Sequence, residues 1–185
     1  MRKEKTEEST VNKYAVFFRG INIGNSLIIK MQDLKKAFES LGYEDVKTVQ
    51  NSGNVIFEAV DKSIETISLE IKAKMNKIFS RDISIALHPF VELVELKTKK
   101  PFIGEKEGPD KKFYVTFIPG SENKKVIFRD ENFKVLLIYK GMICSVLRFS
   151  EGVGTIYLMD AIQKQYGKAV TTRTWGTVLK VLGKA

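Results

Sequence analysis

The sequence holds one cysteine, one histidine, one tryptophan and four prolines in 185 residues. A single cysteine, Cys144, closes no internal disulfide, which suits a reducing, cytoplasmic setting. With only one histidine beside it, no soft-ligand set for zinc exists, and no Asp/Glu/His group has metal-ligand spacing, so no metal is expected. No apolar run approaches the ~18 residues of a membrane-spanning helix, so no membrane partner is expected. The polar, charged start, Met1 to Asn12, has no apolar core of a secretory signal and reads as a mobile tail.

Nucleotide fingerprints are missing too. Gly20 and Gly24 are not followed by Gly-Lys-Ser/Thr. Gly152-Val153-Gly154 has Tyr157 where a dinucleotide motif needs its third glycine. There is no Gly-x-Ser-x-Gly elbow. His88 stands alone before Pro89 and reads as a structural residue at a strand end. No cofactor is expected.

What is present is an ordinary globular composition, 43% hydrophobic and 29% charged, with a net charge of +9. That charge is uneven. Residues 1–100 hold 17 Lys/Arg against 14 Asp/Glu, and residues 101–185 hold 14 against 8. From Lys134 onward only Glu151 and Asp160 are acidic. A basic second half fits an anionic partner, and also plain solubility.

Hydrophobic periodicity lays out the elements. Tyr14 to Phe18 reads as a buried strand. Met31, Leu34, Phe38 and Leu41 share a helical face closed by Gly42. Val46–Val49 and Val55–Phe57 flank the turn Asn51-Ser52-Gly53-Asn54 and read as a hairpin. Asp61 can cap a helix whose apolar face is Ile64, Ile67, Ile71, Met75 and Ile78. Ile83, Ile85 and Leu87 alternate as a strand. The order βαββαβ predicts a ferredoxin-like α+β arrangement.

A short helix over Phe90–Leu96 and a polar stretch from Lys97 to Lys112 follow. The expected division is a tail over 1–12, a ferredoxin-like subdomain over 13–97 and a second, smaller α+β subdomain over 98–185. The second half reads as a strand Phe113–Ile118, a hairpin of Phe133–Tyr139 with Met142–Phe149, a helix bearing Leu158, Met159, Ile162 and Tyr166, and a last helix from about Thr172. No internal repeat is visible in the residues. Cys144, among Met142, Ile143, Val146 and Leu147, is expected to be buried and slow to react.

Three segments hold more glycine and hydrogen-bond donors than turns need. They are Phe18-Arg19-Gly20-Ile21-Asn22-Ile23-Gly24, Asn51-Ser52-Gly53-Asn54-Val55-Ile56-Phe57 and Thr171-Thr172-Arg173-Thr174-Trp175-Gly176-Thr177-Val178. In this order they resemble the bacterial proteins grouped as domain-of-unknown-function family 1697. That family's pattern is an Arg-Gly-Ile-Asn-Val-Gly loop, a Ser-Gly-Asn-Val-x-Phe hairpin and a Thr-x-Arg-Asn-Trp helix start. Thr174 replaces the usual Asn, and Asn25 stands where a second Gly is frequent. The resemblance implies an α+β fold and a cytoplasmic bacterial protein, and it supplies no activity.

The candidate ligand-binding residues are Arg19, Gly20, Asn22, Ser52, Gly53, Asn54, Thr172, Arg173 and Trp175. The side chains of Arg19, Asn22, Ser52, Asn54, Thr172 and Arg173 donate hydrogen bonds and none is acidic. Glycines beside them admit close approach to the backbone. A helix opening at Thr172, with Arg173 beside it, would suit an anion. The expectation is a module binding an anionic, phosphate-bearing small molecule or a nucleic acid. Two others stand beside it: an enzyme acting on a small phosphorylated or acyl substrate between the halves, and a protein-interaction module with no small ligand. Catalytic residues and oligomeric state are not legible.

Overall fold

A computed structural model describes residues 10–24, 27–60, 62–120, 128 and 130–185. The first half runs β1 (Val11–Phe18), α1 (Met31–Glu39), β2 (Glu44–Val49), β3 (Asn54–Val60), α2 (Ile64–Phe79), β4 (Ile85–Pro89) and α3 (Phe90–Thr98). The second half runs β5 (Lys111–Phe117), β6 (Phe133–Tyr139), β7 (Met142–Arg148), α4 (Thr155–Tyr166), β8 (Thr171–Thr174) and α5 (Trp175–Leu182). The protein is α+β, with two antiparallel four-stranded sheets in the orders β2-β3-β1-β4 and β6-β7-β5-β8. The ferredoxin-like expectation for the first half is met.

Three details differ from the sequence reading. The first strand reaches back to Val11, into the expected tail, by pairing Val11 with Val60. Helix α2 is capped by Ser63, whose Oγ accepts from Thr66 N at 3.1 Å. Asp61, the expected cap, lies outside the described residues. On α2 the residues Ile67, Ile71 and Met75 are buried, while Ile78 is exposed at the last turn.

The largest correction concerns the C-terminus. Thr172 does not open a helix. Residues Thr171–Thr174 form β8, an edge strand on β5, and the helix begins at Trp175 under the cap of Thr174. Thr171, Thr172 and Thr174 are β-branched, and such residues favour strand over a first helical turn.

With β8 in place, the two halves follow the same path. In each, the first strand is central and pairs antiparallel with the third and fourth, and the fourth leads straight into a helix. The repeat that the residues did not announce is therefore topological. A trace survives at an offset of one hundred: Tyr14-Ala-Val-Phe-Phe-Arg-Gly20 against Tyr114-Val-Thr-Phe-Ile-Pro-Gly120. Phe18 N donates to Gly53 O at 2.8 Å, and Ile118 N donates to Gly141 O at 2.8 Å. The segment between β5 and β6, where α1 would have its counterpart, lies largely outside the described residues.

Three apolar layers hold this together. Helices α1 and α2 cover one face of the first sheet, burying Phe18, Phe38, Phe57 and Met75. Helix α4 covers the outer face of the second sheet with Leu158 and Ile162. Between the sheets, Phe17, Ile56 and Ala86 meet Val115, Phe117, Met142 and Cys144, joined by α3 and α5. Phe17 and Phe117 occupy equivalent registers and stack with ring centroids 3.8 Å apart. Phe17 and Phe57 are both fully buried, so these two strand aromatics present no platform to RNA bases.

Candidate functional site

The three motif segments meet, and Arg173 is where they do. It sits on β8 opposite Val115 and points into the first half. Its Nε donates to Asn54 Oδ1 at 2.7 Å. Nη1 donates to Thr171 Oγ1 at 2.8 Å and Thr172 O at 3.0 Å. Nη2 donates to Phe18 O at 2.6 Å and Ser52 O at 2.8 Å. A guanidinium has five N–H groups, and all five are used. Every acceptor is neutral, so Arg173 is no carboxylate's ion-pair partner. Burial pulls its pKa down to about 10, which still leaves it charged at neutral pH.

Its acceptors are fixed in turn. Asn54 is fully buried, and its Nδ2 donates to Val49 O at 2.8 Å and Ser52 Oγ at 3.0 Å. Gly53, at φ +69°, lies so close to Ile21 that an added Cβ would come within 2.4 Å of its Cδ1. Only glycine tolerates both that backbone and that approach.

Arg19 makes the reciprocal tie. From the end of β1 its Nη1 donates to Val170 O and its Nη2 to Gln163 Oε1, both at 3.1 Å. Asn22, in a left-handed conformation, clasps its own loop. Its Oδ1 accepts from Ile29 N at 2.7 Å, and its Nδ2 reaches Ile29 O and Asn51 O. Gly20 makes the turn beside it at φ +66°. Thr172 Oγ1 bonds Thr116 Oγ1 at 2.9 Å. Trp175 stands at the start of α5 against Phe102, ring centroids 5.3 Å apart. The Thr174 hydroxyl accepts from Thr177 N at 3.3 Å, so this departure from the family pattern still caps its helix.

The anion-binding expectation rested chiefly on Arg173 and on a helix opening at Thr172. The guanidinium has no donor left, and the helix opening is three residues further on. Among the described residues, no group of three or more His, Cys, Asp or Glu could hold a metal ion.

A second tie joins the halves at α3. His88 occupies the register of Arg173, opposite Ala15 as Arg173 is opposite Val115. Its Nδ1 lies 3.3 Å from Glu92 Oε2, its ring 5.5 Å from Phe117, and its Nε2 is buried without a partner among the described residues. Lys140, at the β6–β7 turn, bridges Glu95 at 2.9 Å and Glu92 at 3.7 Å. Tyr139 bonds the same Glu95 oxygen, and these contacts hold the Glu95 carboxyl below its usual range.

The sequence reading missed one feature. A groove of 780 Å³ opens between the start of α2 and the outer side of α3, lined by Lys13, Lys62, Ile64, Phe90, Val91 and Val94 among others. Val91 and Val94 are 57% and 42% exposed. Its signal was present: Phe90, Leu93 and Leu96 make one apolar face of α3, while Val91 and Val94 repeat at three on another.

The architecture defines a class: an α+β protein of two topologically repeated ferredoxin-like halves, tied by buried arginine hydrogen bonds. The model of the family described as "Protein of unknown function (DUF1697)" matches residues 11–134, and the chain belongs to that family. The match takes in the Arg19 and Asn54 segments and stops before the Arg173 segment. No curated protein matches the sequence. A conserved bacterial protein from Streptococcus pneumoniae is structurally similar, with a TM-score of 0.74 at 17% identity over 95% of this chain and 99% of that one. At that identity the likeness shows the fold. No helix among the described residues is long and apolar enough to cross a membrane.

Proposed function

We propose that the chain is a protein-interaction module that docks an apolar segment of a partner in the groove between α2 and α3. One observation carries this: two valines on the outer side of α3 are left in solvent beside Phe90 and Ile64, in a groove large enough for a side chain and its backbone. Exposed apolar patches with a polar rim mark binding surfaces. The charges at the rim are balanced rather than cationic. Lys13 lies 3.2 Å from both Asp45 and Glu58, and Lys62 lies 2.6 Å from Glu70.

Photo-crosslinking in the native cell tests it. A benzophenone amino acid at Val91 or Val94 should give a discrete adduct, while one at Leu69, also apolar and 67% exposed on α2, should give none. Equal labelling at all three positions, or none at Val91 and Val94, would rule the groove out.

An anionic partner is favoured by a different observation. Lys111, Lys134 and Arg148 all act on the carboxylate of Glu105, holding it below its usual range, with the Lys111 hydrogen bond the largest cause. They line a second groove of 500 Å³, shared with Asp130 and Glu131. Asp130 is already engaged by Asn132 N and Tyr157. Nucleic-acid retention that falls with salt and weakens in Arg148→Glu would support this face, and no retention at low salt would dismiss it.

A further inference from the structure

The chain contains its own picture of what such a groove accepts. By strand register Lys13 is equivalent to Phe113, because Lys13 pairs with Glu58 four residues after Asn54, and Phe113 pairs with Val146 four after Met142. By the same register Pro89 matches Thr174, so Phe90 and Trp175 each begin the helix that follows the fourth strand. In the second half the place between these two residues is filled. Phe102, from the segment joining the halves, lies parallel to Phe113 at 4.5 Å and against Trp175 at 5.3 Å, and it is buried. In the first half the equivalent place, between Lys13 and Phe90, is the open groove.

We infer that this groove takes an aromatic side chain borne on a peptide segment of another protein, seated over Phe90 as Phe102 is seated over Trp175. The inference rests on the docking role proposed above and names its occupant. The ten residues before Val11, which precede β1 in the sequence as the Phe102 segment precedes β5, contain no aromatic. A second copy of the chain is a poor donor. No aromatic among the described residues is exposed, and the remaining residues include none. The floor also differs in a way that suits a transient guest. Where the second half has Phe113 facing Val146, the first has Lys13 held by Glu58 and Asp45, so the guest meets Phe90, with Tyr14 also in the lining, and no ring at the place of Phe113.

The test uses the chain's own segment as the probe. A synthetic peptide of residues 98–107, carrying Phe102, is titrated into the full-length protein and followed by amide NMR shifts, beside two versions with Leu or Ala in place of Phe102. The native peptide should move the amides of Val91 and Val94 at millimolar concentration. The Leu version should bind about threefold to tenfold more weakly, the Ala version should leave the spectrum unchanged, and Val94→Asp should abolish the response. The indole signal of Trp175, the one tryptophan, should stay still.

If Leu serves as well as Phe, the aromatic requirement fails while the docking groove stands. If no peptide moves the Val91 and Val94 amides, the inference fails for this groove. If that silence is joined by an absence of adducts at Val91 and Val94 in the crosslinking experiment, the docking role falls with it. Movement of the Trp175 indole instead would mean that the peptide displaces Phe102, and would overturn the assignment to the first half.

Discussion

The first and second halves share a chain path and fill it differently. At the register opposite the central strand, one places His88 and the other Arg173. Each ring or guanidinium lies against the central phenylalanine of the opposite half, His88 near Phe117 and Arg173 over Phe17. Arg173 is long enough to reach across to Phe18, Ser52 and Asn54, and it satisfies them. His88 is not, and its Nε2 is left without a partner among the described residues. Equivalent positions have thus separated into a clamp and a residue that contributes less. The same holds at the helix starts, where Trp175 is covered by Phe102 and Phe90 borders an open groove.

The largest expected effect separates the first pair. Arg173→Ala removes five hydrogen bonds from a charged donor and strands buried carbonyls, and should cost about 3–5 kcal/mol in urea unfolding. Arg173→Lys keeps the charge and loses the planar fork, so it should recover only part of that. His88→Leu removes a buried unpaired atom and should change stability by less than about 1 kcal/mol in either direction. Equal losses at the two positions would break the contrast.

Glycines give the next. Gly20 and Gly120 have φ of +66° and +67° in open space, whereas Gly53 combines φ +69° with the Ile21 contact. Gly120→Ala should cost roughly 1 kcal/mol from backbone strain alone. Gly53→Ala should cost about 2–4 kcal/mol, because Ile21 and Phe18 must also shift. Thermal melts of the two variants measure the difference.

At one matched register a pH effect belongs to the second half. Cys144 matches Ile56 by register, and burial pushes its thiol up to about 12. The unfolded chain releases this proton near pH 9 while the folded chain keeps it. The stabilisation is therefore full below pH 9 and is lost as pH rises toward 12, by at most about 1.4 kcal/mol per pH unit. Cys144→Val should flatten that part of the stability profile relative to wild type, and the native thiol should label slowly. The smallest effect is expected at the groove. Val94→Asp, on the exposed side of α3, should leave stability within about 0.5 kcal/mol, so that any loss of docking is not a loss of fold.

Much of this was legible before the structure. Continuous or alternating apolar runs identified β1, β6 and β7, and the spacing of Ile67, Ile71 and Met75 identified α2, because burial on one face writes its period into the residues. The three motif segments were marked as special by glycines and donors with no local need for them. Their purpose was not legible. A donor that grips a ligand and one that grips a distant carbonyl have the same sequence, and only the meeting of Phe18, Ser52 and Arg173 across more than a hundred residues distinguishes them. Strand β8 was lost because Trp175, Val178 and Leu182 make so clear a helix that Thr171–Thr174 were drawn into it. That one error hid the repeat, since without β8 the second sheet has no counterpart to β4. The groove is hidden in the sequence because Val91 and Val94 lie in the same apolar run as the buried Leu93 and Leu96.

Arg173 as the tie between the halves is tested most directly by a double-mutant cycle with Asn54, its partner at 2.7 Å across the seam. Arg173→Met, Asn54→Leu and the double variant are unfolded in urea beside the wild type. A coupling of about 1–3 kcal/mol is expected for a charge-assisted bond between them. Losses that simply add, to within about 0.5 kcal/mol, would contradict the clamp.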